Sequence, residues 1–267
     1  MSMSPPKRIS GRDNPEFKRF LAVRARKNRD LILVEGPKLL GEAIRSDLAV
    51  EAVAFDDHVL TVSEELAAWA TARKWIQFSG SLMKSLSDVE THQGVIALVE
   101  RPRFNDDWLR RKDAFVLVLD RLQDPGNVGT LFRTAEAAGV SGVLLTRGGA
   151  DPLSPKALRA SAGSAFRLPH LLDLSIDDLL AALPRRITLA ATVAAPGACS
   201  LFGDRPLPFP LALALGSEGS GLDPRIEEAA SHRVRIPSAR PVESLNVAAA
   251  GAISMFEIAR RAGILRG

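Results

Sequence analysis

In the second half of the chain, short and nearly unbroken apolar runs alternate with amphipathic ones. FVLVLD (115–120), GVLLT (142–146), RITLAAT (186–192) and PLALALG (210–216) are separated by segments with helical spacing at about 128–138, 154–164 and 175–183. A strand that is apolar on both faces must be covered on both sides, and the helices between successive strands do the covering. The pattern predicts an α/β fold with a mostly parallel sheet, closed by a shorter strand at HRVRIP (232–237) and a helix at about 245–262.

The first hundred residues alternate in the same way on a smaller scale. Strands are expected at LILVEG (31–36), AVEAVAF (49–55), WIQF (75–78) and QGVIALVE (93–100), with helices at 37–46, 63–73 and 81–86. Proline and charge interrupt the rhythm in RPRFNDDWLRRKD (101–113), which reads as a linker. The domains expected are therefore 1–100, a linker at 101–113, and 114–267. With 46% apolar and 25% charged residues the chain is not of the disordered, collagen-like or disulfide-scaffold classes. Its longest apolar stretches, Leu211 to Leu215 and Ala114 to Leu119, fall far below the roughly 18–20 residues of a membrane span. The N-terminus lacks the apolar core of a signal peptide and Cys199 is the single cysteine, so a reducing, cytoplasmic location is expected.

Charge is unevenly spread. Lys7, Arg8, Arg12, Lys18, Arg19, Arg24, Arg26, Lys27 and Arg29 face only Asp13, Glu16 and Asp30 in residues 1–30, a net +6, whereas the whole chain carries +4. A basic arm on a near-neutral body fits either a polyanion partner, most often nucleic acid, or a solubilising tail.

Ligands of open α/β sheets bind beyond the carboxyl ends of the strands, and three loops there are rich in glycine and small polar residues. In LDRLQDPGNVGTLFRTAEAAGV (119–140), Asn127 stands at an expected helix N-cap and Arg133 follows six residues later. Read alone, the segment allows a capped helix with an Arg133–Glu136 surface pair, or a guanidinium set to meet an oxyanion. In LALALGSEGSGLDPRIEEAA (211–230) the glycines fall as GxxGxG, neither a P-loop nor the dinucleotide fingerprint. That spacing weighs against a nucleotide-dependent oxidoreductase or kinase. In RIPSARPVESLNVAAAGAISMFEIARR (235–261), Ser244 is the expected cap of the last helix, with Asn246 in its first turn. Leu245, Ala249, Ala252, Phe256 and Ala259 form one face, suited to a core or to a subunit interface. His58, His92, His170 and His232 are scattered without metal-ligand spacing, no GxSxG elbow is present, and no metal is expected.

Together, DPGNVGTLFRTAEAAG, LALGSEGSGL and IPSARPVESLNVAAAGAISMFE resemble the three signature motifs of the SpoU (TrmH) RNA ribose 2′-O-methyltransferases of the SPOUT class. SPKALRASAGSAFRLP (154–169) is also typical of that family. Residues of about 7–100 are similar to the ribosomal-protein-like RNA substrate-binding domain that many members carry in front. The resemblance implies a C-terminal SPOUT domain with a deep trefoil knot, S-adenosylmethionine as cofactor held at Gly216, Ile236 and Leu245, and a homodimer. It implies that Asn127, Arg133, Glu218, Ser244 and Asn246 gather at the active site. It further implies methyl transfer to RNA, with 23S ribosomal RNA favoured over tRNA; a silent knotted RNA-binding protein is the non-enzymatic alternative. Between the IP and SLN elements many members have glycines where this chain has Arg240-Pro241.

Overall fold

A computed structural model describes residues 8–56, 74–89, 93–195, 197–203, 206–240 and 244–265. The helix expected at 63–73, Lys7, His58, His92 and Pro241 lie outside the described residues. The strands are β1 (Arg8–Ile9), β2 (Leu31–Glu35), β3 (Val50–Phe55), β4 (Lys74–Phe78), β5 (Val95–Glu100), β6 (Phe115–Asp120), β7 (Gly142–Thr146), β8 (His170–Leu174), β9 (Thr188–Thr192), β10 (Cys199–Ser200), β11 (Leu211–Gly216) and β12 (His232–Arg235). The helices are α1 (Pro15–Arg24), α2 (Pro37–Arg45), α3 (Gly80–Leu86), α4 (Pro125–Ala137), α5 (Pro155–Ser161), α6 (Ser164–Arg167), α7 (Ile176–Ala182), α8 (Pro224–Ala229) and α9 (Val247–Arg261).

Two compact units result: residues 1–103 with 153–166, and residues 104–152 with 167–267. The first unit holds a five-stranded mixed sheet ordered β1-β4-β3-β5-β2, in which β5 runs antiparallel to both β2 and β3. Its α1 was hidden in what reads as a basic arm. Asn14 caps the helix by accepting the Glu16 N–H at 2.9 Å, proline follows at the first helical position, and Phe17, Phe20 and Val23 turn inward. The two phenyl rings meet Phe78 edge-on at 5.7 and 5.5 Å. Dense positive charge masks this helical spacing in the sequence, yet the apolar residues root the segment in the core.

The segment 153–166 groups with this first unit, whereas the sequence places it inside a continuous 114–267 domain. The tie is chemical. Buried Glu35 accepts from Arg159 Nη1 at 3.1 Å and from the Ser87 hydroxyl, and a Cβ at Gly163 would lie 2.7 Å from that of Glu42. The single helix expected at 154–164 is broken where Ala162 and Gly163 take left-handed φ values of 49° and 87°, giving α5 and α6.

The second unit is a seven-stranded sheet ordered β10-β12-β9-β11-β6-β7-β8 with every pair parallel, as the continuous apolar runs predict. Leu211 to Gly216 of β11 pair in register with Phe115 to Asp120 of β6, so both strands end together beneath the loops that follow. Val116, Val118, Leu189, Ala212 and Ala214 pack on one face with Leu179 of α7 and Ile226 of α8. The core also takes Trp108 and Leu109 from the stretch read as linker, through a 3₁₀ turn over Asp107–Arg110. The Trp108 Nε1–H donates to the Asn105 carbonyl at 2.9 Å, and its ring occupies the space that Gly142 leaves, 2.6 Å from where a Cβ would stand. Two apolar residues isolated among charges carry no periodicity, which is why they read as linker. The strand β8, whose apolar run is broken by Asp173 and which is only partly buried, and the six-residue helix α8 complete the unit.

Candidate active site

The three loops singled out in the sequence converge beyond the carboxyl ends of β6 and β11, but their local roles differ from those expected. Asp124, not Asn127, caps α4: its carboxylate accepts the Asn127 N–H at 3.2 Å, and Pro125 opens the helix. The Asn127 side chain is thereby released from capping. Asn246, not Ser244, caps α9, accepting the N–H groups of Ala248 and Ala249 at 3.0 and 3.2 Å. Its amide is left to donate to Asn127 Oδ1 at 3.3 Å, while Asn127 Nδ2 donates to Glu218 Oε1. Residues 127, 218 and 246 thus form one hydrogen-bonded chain across more than a hundred positions of sequence.

Glu218 stands on a loop that folds back on itself. Ser217 and Gly221 exchange backbone hydrogen bonds at 3.1 and 3.0 Å, and the hydroxyls of Ser217 and Ser220 meet at 2.7 Å. The returning limb lies so close to Gly216 that a Cβ there would sit 2.2 Å from the Gly221 carbonyl carbon and 2.3 Å from the Leu222 nitrogen.

Beside this loop opens a cleft of about 690 Å³, lined by Gly216, Ile236 and Leu245, the three residues expected at the cofactor, and by Glu218, Ser244 and Arg240. Its size is that of sites for drug-sized ligands. Leu201, Leu215, Val234 and Val247 supply apolar wall, and Thr192, Ser238 and Ser254 supply polar groups. Among its lining residues, Arg235 has a buried Nε with no hydrogen-bond partner among the described residues, a donor that a ligand or water could meet. This mixture fits S-adenosylmethionine, whose adenine is flat and aromatic and whose ribose and amino-acid tail are polar.

Arg133 is not drawn into the hydrogen-bonded chain. It is exposed and makes no hydrogen bond or ion pair among the described residues; Glu136, the partner expected for it, instead receives Arg167 Nε and Nη2 at 2.8 and 3.0 Å. The face of α9 read from the sequence is mostly the outer one. Val247, Ala248, Gly251, Met255 and Ile258 are buried, Ala259 with them, whereas Leu245, Ala249 and Phe256 are exposed and Ala252 is half-buried. Gly251 makes the inner packing possible, since a Cβ there would lie 2.3 Å from Leu131 of α4 and 2.8 Å from Leu215. Of the cations expected at RNA, Lys18 pairs with Asp13 at 3.2 Å, Arg24 with Asp88 at 2.7 Å, and Arg19 with Glu51. Arg8 lies in β1, while Arg12, Arg26, Lys27 and Arg29 are exposed and have no such partner among the described residues.

Sequence reading missed Asp120, which ends β6 with its carboxylate wholly buried, and Thr146, which ends β7. A carboxylate closing an otherwise apolar strand was the available signal. No group of three or more histidine, cysteine or acidic residues able to hold a metal occurs among the described residues, and none of their helices is long and apolar enough to cross a membrane.

The crystal structure of an AdoMet-bound rRNA methyltransferase from Sinorhizobium meliloti superposes with a TM-score of 0.83, covering 97% of this chain and 99% of that one at 29% identity. The fold is therefore that of an rRNA methyltransferase. Residues 114–256 match the SpoU rRNA Methylase family and residues 14–97 the MRM3-like substrate binding domain. The chain belongs to the SpoU rRNA methylase family. It is 34% identical to an uncharacterized tRNA/rRNA methyltransferase of Synechocystis over 95% of this chain and 93% of that protein. It is 30% identical to the 23S rRNA (guanosine(2553)-2′-O)-methyltransferase RlmP of Bacillus subtilis, over 94% and 99% respectively.

Proposed function

We propose that this protein is an S-adenosylmethionine-dependent methyltransferase that modifies a ribose 2′-hydroxyl of 23S ribosomal RNA. The observation that carries the reading is the meeting of Asn127, Glu218 and Asn246 beside a cleft lined by Gly216, Ile236 and Leu245. The RlmP relative, which spans nearly its whole length, supports the RNA assignment.

When bound, the cofactor supplies a sulfonium methyl that needs no activation. The protein's share is to hold the weakly nucleophilic hydroxyl in line and to stabilise charge as its proton leaves. Asn127, Ser244 and Asn246 orient the ribose and the methionine end of the cofactor, and Glu218 buttresses Asn127. Arg133 presents a planar guanidinium fork to the ribose and its phosphate. Its unpaired fork stabilises the developing alkoxide and the neighbouring phosphate. The first unit grips RNA through Arg12, Arg26, Lys27 and Arg29. The chain also forms a homodimer through the apolar outer face of α9 and the residue before its cap, where Ile253, Phe256 and Leu245 are 38%, 42% and 39% exposed. The knot expected of the SPOUT class forms from the loops after β11 and β12, a reading supported by the match to the SpoU family.

The test is incubation with tritiated cofactor and separated ribosomal and transfer RNA, followed by mapping of the labelled ribose. Label at one 2′-oxygen of 23S RNA is expected. Label confined to tRNA overturns the substrate, and no label in either pool overturns the activity.

A further inference from the structure

Asp120 is the last residue of β6, and solvent reaches none of it. Its Oδ1 accepts from the Thr146 hydroxyl at 2.8 Å and from Arg121 Nε at 3.2 Å; its Oδ2 accepts from the backbone N–H of Asp223 at 2.7 Å and from Arg121 Nη2 at 3.0 Å. The Thr146 hydroxyl in turn accepts the backbone N–H of Arg121 at 2.9 Å. One carboxylate therefore ties together the segments that leave β6, β7 and β11. To make these bonds Arg121 adopts a left-handed φ of 52°, a conformation that costs an L-residue energy.

A buried carboxylate paired with a half-exposed arginine is not needed for stability, since apolar residues of similar size often hold such a buried position as well or better. What an apolar residue cannot do is fix three loops at hydrogen-bond distances. The loop from β6 runs through Asp124 into α4 and carries Asn127; the loop from β11 carries Glu218 and returns through Gly221 and Leu222 against Gly216. Asp223, the residue whose N–H Asp120 holds, caps α8 immediately after that return.

We propose that Asp120 is a positioning residue for methyl transfer, a buried carboxylate that sets Asn127 opposite Glu218 and presses the 221–222 limb onto the Gly216 wall of the cofactor cleft. The inference rests on the methyltransferase reading of that cleft.

The experiment compares the full-length wild type with Asp120→Asn, Thr146→Val and, as a control for lost stability, Leu189→Ala in the core under the sheet. Thermal melting, calorimetric titration with S-adenosylmethionine, RNA affinity without cofactor, and steady-state kinetics are measured on each. Asp120→Asn keeps the shape but loses the charge and one acceptor. It is expected to raise the cofactor dissociation constant about tenfold, lower kcat and leave RNA affinity unchanged. Thr146→Val, which removes one of the four bonds to the carboxylate together with the acceptor of the Arg121 N–H, should shift the same quantities in the same direction by less. Leu189→Ala should lower Tm without changing cofactor affinity. Wild-type cofactor affinity and kcat in Asp120→Asn would overturn the proposal, as would a loss of cofactor affinity in Leu189→Ala matching that of Asp120→Asn at equal Tm. A wild type that fails to bind the cofactor overturns the methyltransferase reading itself, a result distinct from either.

Discussion

Gly216 offers the sharpest test of how the cleft is built. Its φ is not in the left-handed region, so alanine there meets a purely steric obstacle. The added Cβ would stand 2.2–2.5 Å from backbone atoms of Gly221 and Leu222, whereas ordinary contact begins at 3.4 Å, so the returning limb must retreat by about 1 Å. That limb is held by the Ser217–Gly221 pair and by the Asp223 N–H on Asp120, and a backbone cannot swing aside as a side-chain end can. Overpacking of this kind costs about 1–3 kcal/mol, and each strained hydrogen bond adds about 0.5–1.5 kcal/mol. For a protein of this size Tm should fall by roughly 5–10 °C. Displacing the wall by about 1 Å should also slow methyl transfer about 100-fold. Differential scanning calorimetry and single-turnover methyl transfer on Gly216→Ala read both effects, with cofactor titration alongside. Gly219→Ala, three residues along the same loop with nothing within 4 Å of its added Cβ, should change neither. A Gly216→Ala protein with wild-type Tm and cofactor affinity would refute the steric account of the loop.

Arg133→Ala should keep cofactor affinity and lose about 100–1,000-fold in kcat; weak cofactor binding with intact turnover of the bound complex would sink its assigned role. Replacing Arg26, Lys27 and Arg29 together by alanine should weaken RNA binding and flatten the dependence of log K on log[salt] by about 0.7–0.9 for each phosphate no longer neutralised, with cofactor affinity unchanged. Truncation of residues 1–30 is not a fair version of that test, because it removes Phe17, Phe20 and Val23 from the core. Hydrogen bonds from Arg260 and then Arg261 pull the Glu257 carboxyl down from 4.5 to about 2. With the folded-state value depressed, this contribution is present above the ordinary carboxylate range and is lost as pH falls toward 2. The Tm gap between wild type and Glu257→Gln should therefore be steady above pH 5 and close towards pH 2; a gap that persists at pH 2 would contradict the assignment.

The parallel sheet was legible in the sequence because its strands are apolar on both faces, and FVLVLD and GVLLT match β6 and β7 residue for residue. The helix α1 and the Trp108 turn were not, for charge hides the spacing of one and a single pair of apolar residues has no spacing in the other. At the site, the residue types in the three loops pointed to segments that the fold brings together, but misassigned their caps. Whether Asn127 or Asp124 closes a helix depends on where Pro125 starts it, and that choice releases Asn127 to reach Glu218 and Asn246.

The amino-acid order by itself determined the elements that depend on neighbours a few positions apart: continuous apolar strands, helix-opening prolines and glycine-rich loops at strand ends. Only the tertiary structure decided what depends on residues brought together across the sheet. Asp120 can hold Asp223 because β6 and β11 lie side by side in register, a pairing that no local pattern encodes. Likewise, the inner face of α9 is set by the space Gly251 leaves for Leu131 and Leu215, not by the periodicity of the helix alone.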